Sequence, residues 1–304
     1  MADKCHNLGV VVFYILTTLF MTGCQSPLVL LNNKEKPSKT KLMFFKPDSA
    51  NDEMFIVDSK SKAGNYTNLV VVTHGWLEID DWPLDLAKAM KSAVDQDKWI
   101  CGWYDWRNNS IALDPADTAV KSKEVIGPIL GKKILRFAPN LKHIHLIGHS
   151  SGAWCITEAA KYIAEKTDAS IHLTFLDAFV PLFWNEKEIG DLSAYPNTVY
   201  WSDHYFTFDP TLVFTEVTLS NAYNVDVTEV NPNLMDHYFP RHWYEGSITG
   251  RFNPNERYGK DKVYYHANGL KFGFARSLEA GIDNWQKSLT LKPGNKPVKI
   301  KKSE

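Results

Sequence analysis

Four short apolar runs, with helical periodicity between successive ones, constrain this chain more than any other feature. They are Asn68–Thr73 (NLVVVT), Lys98–Trp106 (KWICGWYDW), His143–Gly148 (HIHLIG) and Ile171–Asp177 (IHLTFLD). Runs this continuous suit strands buried on both faces. Between them, Pro83 opens a helix in which Leu86, Ala89, Met90, Ala93 and Val94 repeat at helical spacing. Ala116–Phe137 reads as helical in parts, broken at Gly127-Pro128, and a third helix runs from Ser151 to about Glu165. Ahead of them, Lys41–Phe45 and Met54–Asp58 read as an opening hairpin. Strand and helix alternating at this rhythm predict an α/β fold: a mostly parallel sheet with helices on both faces. Sheets of that kind bind ligands beyond the carboxyl ends of their strands. Site residues are therefore expected just after Thr73, Trp106, Gly148 and Asp177.

The residues at those places carry chemistry. Gly148-His149-Ser150-Ser151-Gly152 fits G-x-S-x-G directly after a buried strand and at the start of a helix, the context that motif requires. Gly148 and Gly152 let the chain turn sharply, which lifts Ser150 out of the sheet as a nucleophile. The helix start aims backbone N–H groups at the space where an oxyanion would develop. His74-Gly75-Trp76, at the end of NLVVVT, resembles the oxyanion loop of α/β-hydrolases. The expected donors are the N–H groups of Trp76 and Ser151; Gly75 frees the turn, and His74 is read as a structural histidine tying the loop down.

Asp177 ends its strand C-terminal to the nucleophile, where a triad's orienting acid belongs, and His237 follows in MDHYFPRHWY. Ser150, Asp177 and His237 then stand in the chain order of this fold. Two alternatives remain open: Asp203, after Thr198–Trp201 (TVYW), as the acid, and His242 as the base. The other histidines, among them His143, His145, His172 and His204, read as core-edge or surface residues. No HExxH, CxxC or EF-hand pattern is present, so neither a catalytic metal nor an organic cofactor is expected.

Together THGW, YDWR (Tyr104–Arg107), LIGHSSGA (Leu146–Ala153) and LTFLDAFVP (Leu173–Pro181) resemble, in order, blocks of the pancreatic-type lipases of the α/β-hydrolase superfamily. The stretch His237–Ile248 resembles the block around that family's catalytic histidine. The resemblance implies an α/β-hydrolase fold and carboxylic ester hydrolysis through Ser150, Asp177 and His237. It prefers Asp177, because those lipases place their acid in an LDP-type block. Here Ala178 stands where that block has proline. No cysteine pair brackets a lid, and the chain beyond Ile248 is too short for the family's C-terminal lipid-docking sandwich. Residues 178–236, rich in aromatics, are expected to supply a cap together with late strands of the sheet.

The ends of the chain read differently. One lysine, Lys4, precedes the apolar run Leu8–Phe20, which is too short for a bilayer span of about 20 residues and suits a secretory signal. Met21-Thr22-Gly23-Cys24 resembles a bacterial lipobox, which implies cleavage after residue 23 and lipidation of Cys24. Residues 24–40 read as a tether, 41–286 as the hydrolase domain and 287–304 as a lysine-rich tail. The expected location is extracytoplasmic and membrane-anchored. With 34 Lys+Arg against 35 Asp+Glu the chain lacks the basic excess of a nucleic-acid binder. The expected partner is instead an ester with an apolar acyl group. Another acyl transfer on the same triad, or a non-catalytic binding lipoprotein, is the alternative. Cys101 and Cys155 read as buried thiols, with a disulfide left open.

Overall fold

The computed structural model describes residues 39–47, 51–182, 184–208, 217–231, 237–250 and 298–299, all within one compact unit. Residues 1–38, with Cys24, and most of 287–304 lie outside the described residues.

The strands are β1 (Lys41–Phe45), β2 (Met54–Ile56), β3 (Asn68–Thr73), β4 (Trp99–Asp105), β5 (His143–His149), β6 (Ser170–Leu176), β7 (Tyr200–Phe206), β8 (Tyr223–Asp226) and β9 (Val298–Lys299). They form one sheet in the order β2-β1-β4-β3-β5-β6-β7-β8-β9. β1 pairs antiparallel with both β2 and β4, as the hairpin reading expects. From β4 to β9 every pairing is parallel. The last of these strands lies within the stretch read as a tail.

Alternation along the strands sends side chains into two cores, one on each face of the sheet. Leu69 and Val71 of β3 pack with Ile144, Leu146, Leu130, Ile134 and Ile156. Their neighbours Val70 and Val72 pack with Leu86, Met90, Trp243 and Tyr244. Burying each such side chain contributes about 1.5–3 kcal/mol, so a slip of one residue in β3 would exchange the two faces at large cost. The helices covering the second face are α1 (Trp82–Ala93) and, near the end of the described residues, Phe239–Thr249. Pro83 lies in the first turn of α1, where its missing N–H costs nothing, and Asp85 and Lys91 match the helix dipole. Cys101 belongs to one core and Cys155 to the other, and both are free thiols.

The chain departs from its sequence reading in two places. After the short α2 (Arg107–Ser110), Pro115–Phe137 is continuous rather than broken at Gly127-Pro128. Its parts are α3 (Pro115–Lys121), a wider π-helical stretch at Ser122–Ile126, and α4 (Gly127–Phe137). The π stretch, in which Gly127 N–H reaches back to the Ser122 carbonyl, absorbs the hydrogen bond that Pro128 cannot make. The second departure is β7, which begins at Tyr200 and runs on to Phe206. That puts Asp203 inside a strand, not at its end.

Candidate active site

Ser150 follows β5 directly and adopts φ 53, a left-handed conformation unusual for a side-chain-bearing residue. The strained turn is held from both sides. Ser150 N–H donates to the Leu176 carbonyl at 3.0 Å, and its own carbonyl accepts Ala153 N–H at 3.0 Å. Helix α5 (Gly152–Ala164) starts two residues on, with Ser151 at its N-cap. The turn requires glycine on three sides. A Cβ on Gly148 would lie 2.7 Å from the Gly152 carbonyl oxygen, and one on Gly152 would lie 2.6 Å from that of His74. On Gly75 it would meet Ser150 Cβ at 2.8 Å. The loop after β3 therefore lies directly against the Ser150 turn.

His74 is fully committed to that loop. Its Nδ1 donates to the Gly75 carbonyl (3.0 Å), its Nε2 accepts Trp106 N–H (3.0 Å), and its ring stacks on Trp106. Burial pushes its pKa down, which suits the neutral ring this pattern needs. Trp76 is fixed by its indole N–H on the Ala112 carbonyl at 2.9 Å.

Asp177 lies one residue beyond β6 and is also left-handed, at φ 47. Its carboxylate Oδ2 is 2.6 Å from His237 Nδ1, and its Oδ1 accepts Thr207 N–H at 3.1 Å. The acid is buried, whereas the His237 side chain keeps about a fifth of its surface exposed. Asp203 is placed elsewhere: within β7 it accepts hydrogen bonds from Thr174 Oγ1 (2.6 Å) and Tyr205 OH (2.8 Å), with His172 Nε2 at 3.2 Å. His242 is half-buried in α6 (Phe239–Thr249). The imidazole against Asp177 is that of His237.

A second, buried cluster underlies these groups, and the sequence reading did not single it out. Glu78 Oε2 accepts Gly75 N–H (3.0 Å) and the Trp82 indole N–H (2.8 Å). Its Oε1 contacts His149 Nδ1 and lies 3.5 Å from Arg241 Nη1. His149 Nε2 in turn donates to the His237 carbonyl at 2.9 Å, with the two rings 4.5 Å apart. Burial alone would raise the Glu78 carboxyl; His149, Arg241 and the Gly75 N–H together outweigh it and hold the group below the usual carboxylate range. Glu78 and Arg241 are far apart in sequence, and only the adjacency of His149 to Ser150 could have hinted at the contact. The histidines read as core-edge or surface, His143, His145, His172 and His204, are all buried.

Exposed apolar side chains stand in the loops that follow several of these strands. Ile79 follows β3, Ile111 and Leu113 follow β4, Leu182 follows β6, Phe208 follows β7, and Tyr238 adjoins His237; all are exposed, Leu113 to 89%. A hollow of about 440 Å³ lined by Glu165, Asp168, Tyr195 and Asn197 lies at the other end of the strands, by the starts of β6 and β7. Among the described residues no group of three or more His, Cys, Asp or Glu is arranged to hold a metal ion.

A mostly parallel sheet with a left-handed serine between a strand and a helix, and an aspartate at the end of the next strand paired with a histidine just ahead of α6, defines an α/β-hydrolase fold. The model of the Lipase family matches residues 18–198, and the chain belongs to that family. The match includes Ser150 and Asp177 and ends before His237. Hepatic triacylglycerol lipase of Bos taurus is 26% identical over 201 residues, 62% of this chain and 39% of that protein. Pancreatic lipase-related protein 2 of Homo sapiens is 28% identical over 52% of this chain and 32% of its own length. This chain thus spans well under half of the relatives it matches. Among solved structures, a poly(3-hydroxybutyrate) depolymerase from Bordetella parapertussis aligns with TM-score 0.30 and 14% identity, over 56% of this chain and 67% of that one.

Proposed function

We propose that the protein is a serine hydrolase that cleaves carboxylic esters with apolar acyl groups. The observation that carries this reading is the hydrogen bond of 2.6 Å between His237 and Asp177, made beside the left-handed turn that presents Ser150. With Nδ1 engaged by the carboxylate, Nε2 is the nitrogen that takes the Ser150 proton as Oγ attacks the ester carbonyl. The tetrahedral oxyanion accepts hydrogen bonds from the backbone N–H groups of Trp76 and Ser151. Collapse breaks the bond to the alkoxide, which leaves with the proton from His237, and Ser150 retains the acyl group. Water then repeats the sequence: His237 takes its proton, the hydroxyl attacks the acyl carbonyl, and the acid leaves as Ser150 regains its proton.

The exposed apolar residues in the loops after these strands support an apolar acyl chain, since such side chains otherwise cost solubility. The reading predicts hydrolysis of p-nitrophenyl esters in a chain-length series, abolished by Ser150→Ala; a wild-type protein inert towards every ester in the series would contradict it. The same reading keeps Cys24 as a lipid attachment point and an extracytoplasmic, membrane-tethered location. Metabolic labelling with a fatty acid, lost in Cys24→Ala, tests that part.

A further inference from the structure

Ala178 takes the place of the proline expected after the acid, and the exchange has a physical consequence. Proline has no N–H, whereas Ala178 brings one into a fully buried position, where it needs an acceptor. The acceptor is His204 Nε2 at 3.2 Å, on an imidazole that is itself fully buried in β7. The chain also fixes which ring nitrogen is bare. Asn224 donates through Nδ2 to the carbonyls of Leu219 (2.9 Å) and Ala222 (2.9 Å), so its oxygen is the end that faces His204. That oxygen, which also accepts Leu219 N–H, lies 3.1 Å from His204 Nδ1. Nδ1 is therefore the donor and Nε2 the lone pair, the tautomer Ala178 needs.

We infer that His204 is a positioning residue for the acid: through the Ala178 N–H it clamps the strained Asp177–Ala178 turn that aims the carboxylate at His237. Asp177 has φ 47, and the turn is otherwise held by Asp177 N–H on the Tyr205 carbonyl (2.8 Å) and by Thr207 N–H on Oδ1. His204 supplies by hydrogen bonding the rigidity that a proline ring would supply covalently. Burial pushes its pKa down to about 4, against weaker opposing pulls from Asn224, Asp177 and Asp203, so the bare nitrogen persists at neutral pH. The inference rests on Asp177 being the acid of the proposed reaction.

The test is a pair of variants of the full chain. His204→Phe orphans the Ala178 N–H, and kcat for a p-nitrophenyl ester falls by about ten-fold or more while KM changes by less than about two-fold. Adding Ala178→Pro removes the orphaned donor, and the double variant recovers most of the lost kcat. A folded His204→Phe with wild-type kcat, or a folded double variant without recovery, overturns the inference. A second readout needs neither variant nor activity: ¹⁵N chemical shifts of His204 in the wild-type protein. They are expected to show a neutral ring protonated at Nδ1 from pH 8 to 5; an Nε2–H ring, or one charged above pH 6, overturns the clamp. Wild-type protein with no esterase activity but the expected His204 shifts would instead overturn the catalytic reading, and the positioning role with it, while leaving the hydrogen bond.

Discussion

Gly75 lies so close to Ser150 that a Cβ placed on it would stand 2.8 Å from the serine Cβ and 2.9 Å from the His149 carbonyl oxygen. The second neighbour is backbone and cannot swing aside. Gly75→Ala therefore has to push the loop after β3 away from the Ser150 turn. The expected outcome is a loss of about 1–3 kcal/mol in urea unfolding and a fall of ten-fold or more in kcat, by about the size a displacement near 1 Å produces.

Asp177 and Asp203 stand in different places, and their substitutions are expected to have different effects. Asp177→Asn keeps the shape of the His237 contact but presents an amide that can select the wrong imidazole tautomer. Ester hydrolysis is expected to fall by about 10³–10⁴-fold with little change in melting temperature. Asp203→Asn disturbs a buried network of Thr174, Tyr205 and His172. It is expected to lower stability by about 1–3 kcal/mol while the folded fraction keeps most of its kcat. Parallel thermal melts and kinetics of the two variants separate these effects.

Glu78 holds the Gly75 N–H, the Trp82 indole, His149 and Arg241 in one buried cluster. Removing it takes from the buried Arg241 guanidinium the one buried carboxylate beside it, leaving only the exposed Asp80 at 3.1 Å, and orphans the Gly75 N–H and the Trp82 indole. Glu78→Ala is expected to cost about 3–5 kcal/mol in denaturant unfolding. The carboxyl is held below the usual range in the fold, so its stabilisation is present above pH of about 4.5 and is lost as pH falls through the lower folded value. Glu78→Gln should therefore show a flatter acid limb in a plot of stability against pH.

His204 adds a second pH-dependent contribution, at higher pH. Its folded value is about 4, against about 6.5 for an unperturbed histidine, so between these limits the unfolded chain binds the extra proton. Stability is full above about 6.5 and declines as pH falls to about 4, by about 3 kcal/mol across that window. His204→Gln, which does not titrate, should remove this slope. An unchanged slope in urea titrations of the variant would show that His204 does not titrate there.

The sequence made the site legible where the signal was local. NLVVVT, HIHLIG and IHLTFL each declare a buried strand, and the residues directly after them, His74-Gly75, Ser150 and Asp177, are those the fold brings together. What stayed illegible depends on partners from distant segments. β7 reads as a short TVYW because Ser202, Asp203 and His204 look too polar for a buried strand. They are tolerated there because Asp203 is satisfied by Thr174 and Tyr205, and His204 by Ala178 and Asn224. The continuity of α3 into α4 was hidden for another reason: Gly127-Pro128 is a sound breaking signal in isolation. Here packing against α5 retains the helix, with Gly127 so close that a Cβ would lie 2.6 Å from the Cys155 carbonyl oxygen. The Glu78–His149–Arg241 cluster joins the loop after β3, the last residue of β5 and α6, and no spacing rule links them.

Whether Ser150 is an activated nucleophile is read by fluorophosphonate labelling of residues 25–304, with the modified peptide located by mass spectrometry. A single label on Ser150 is expected, lost in His237→Ala and retained in His242→Ala. A folded protein with no label at Ser150, or one whose label survives His237→Ala, would contradict it.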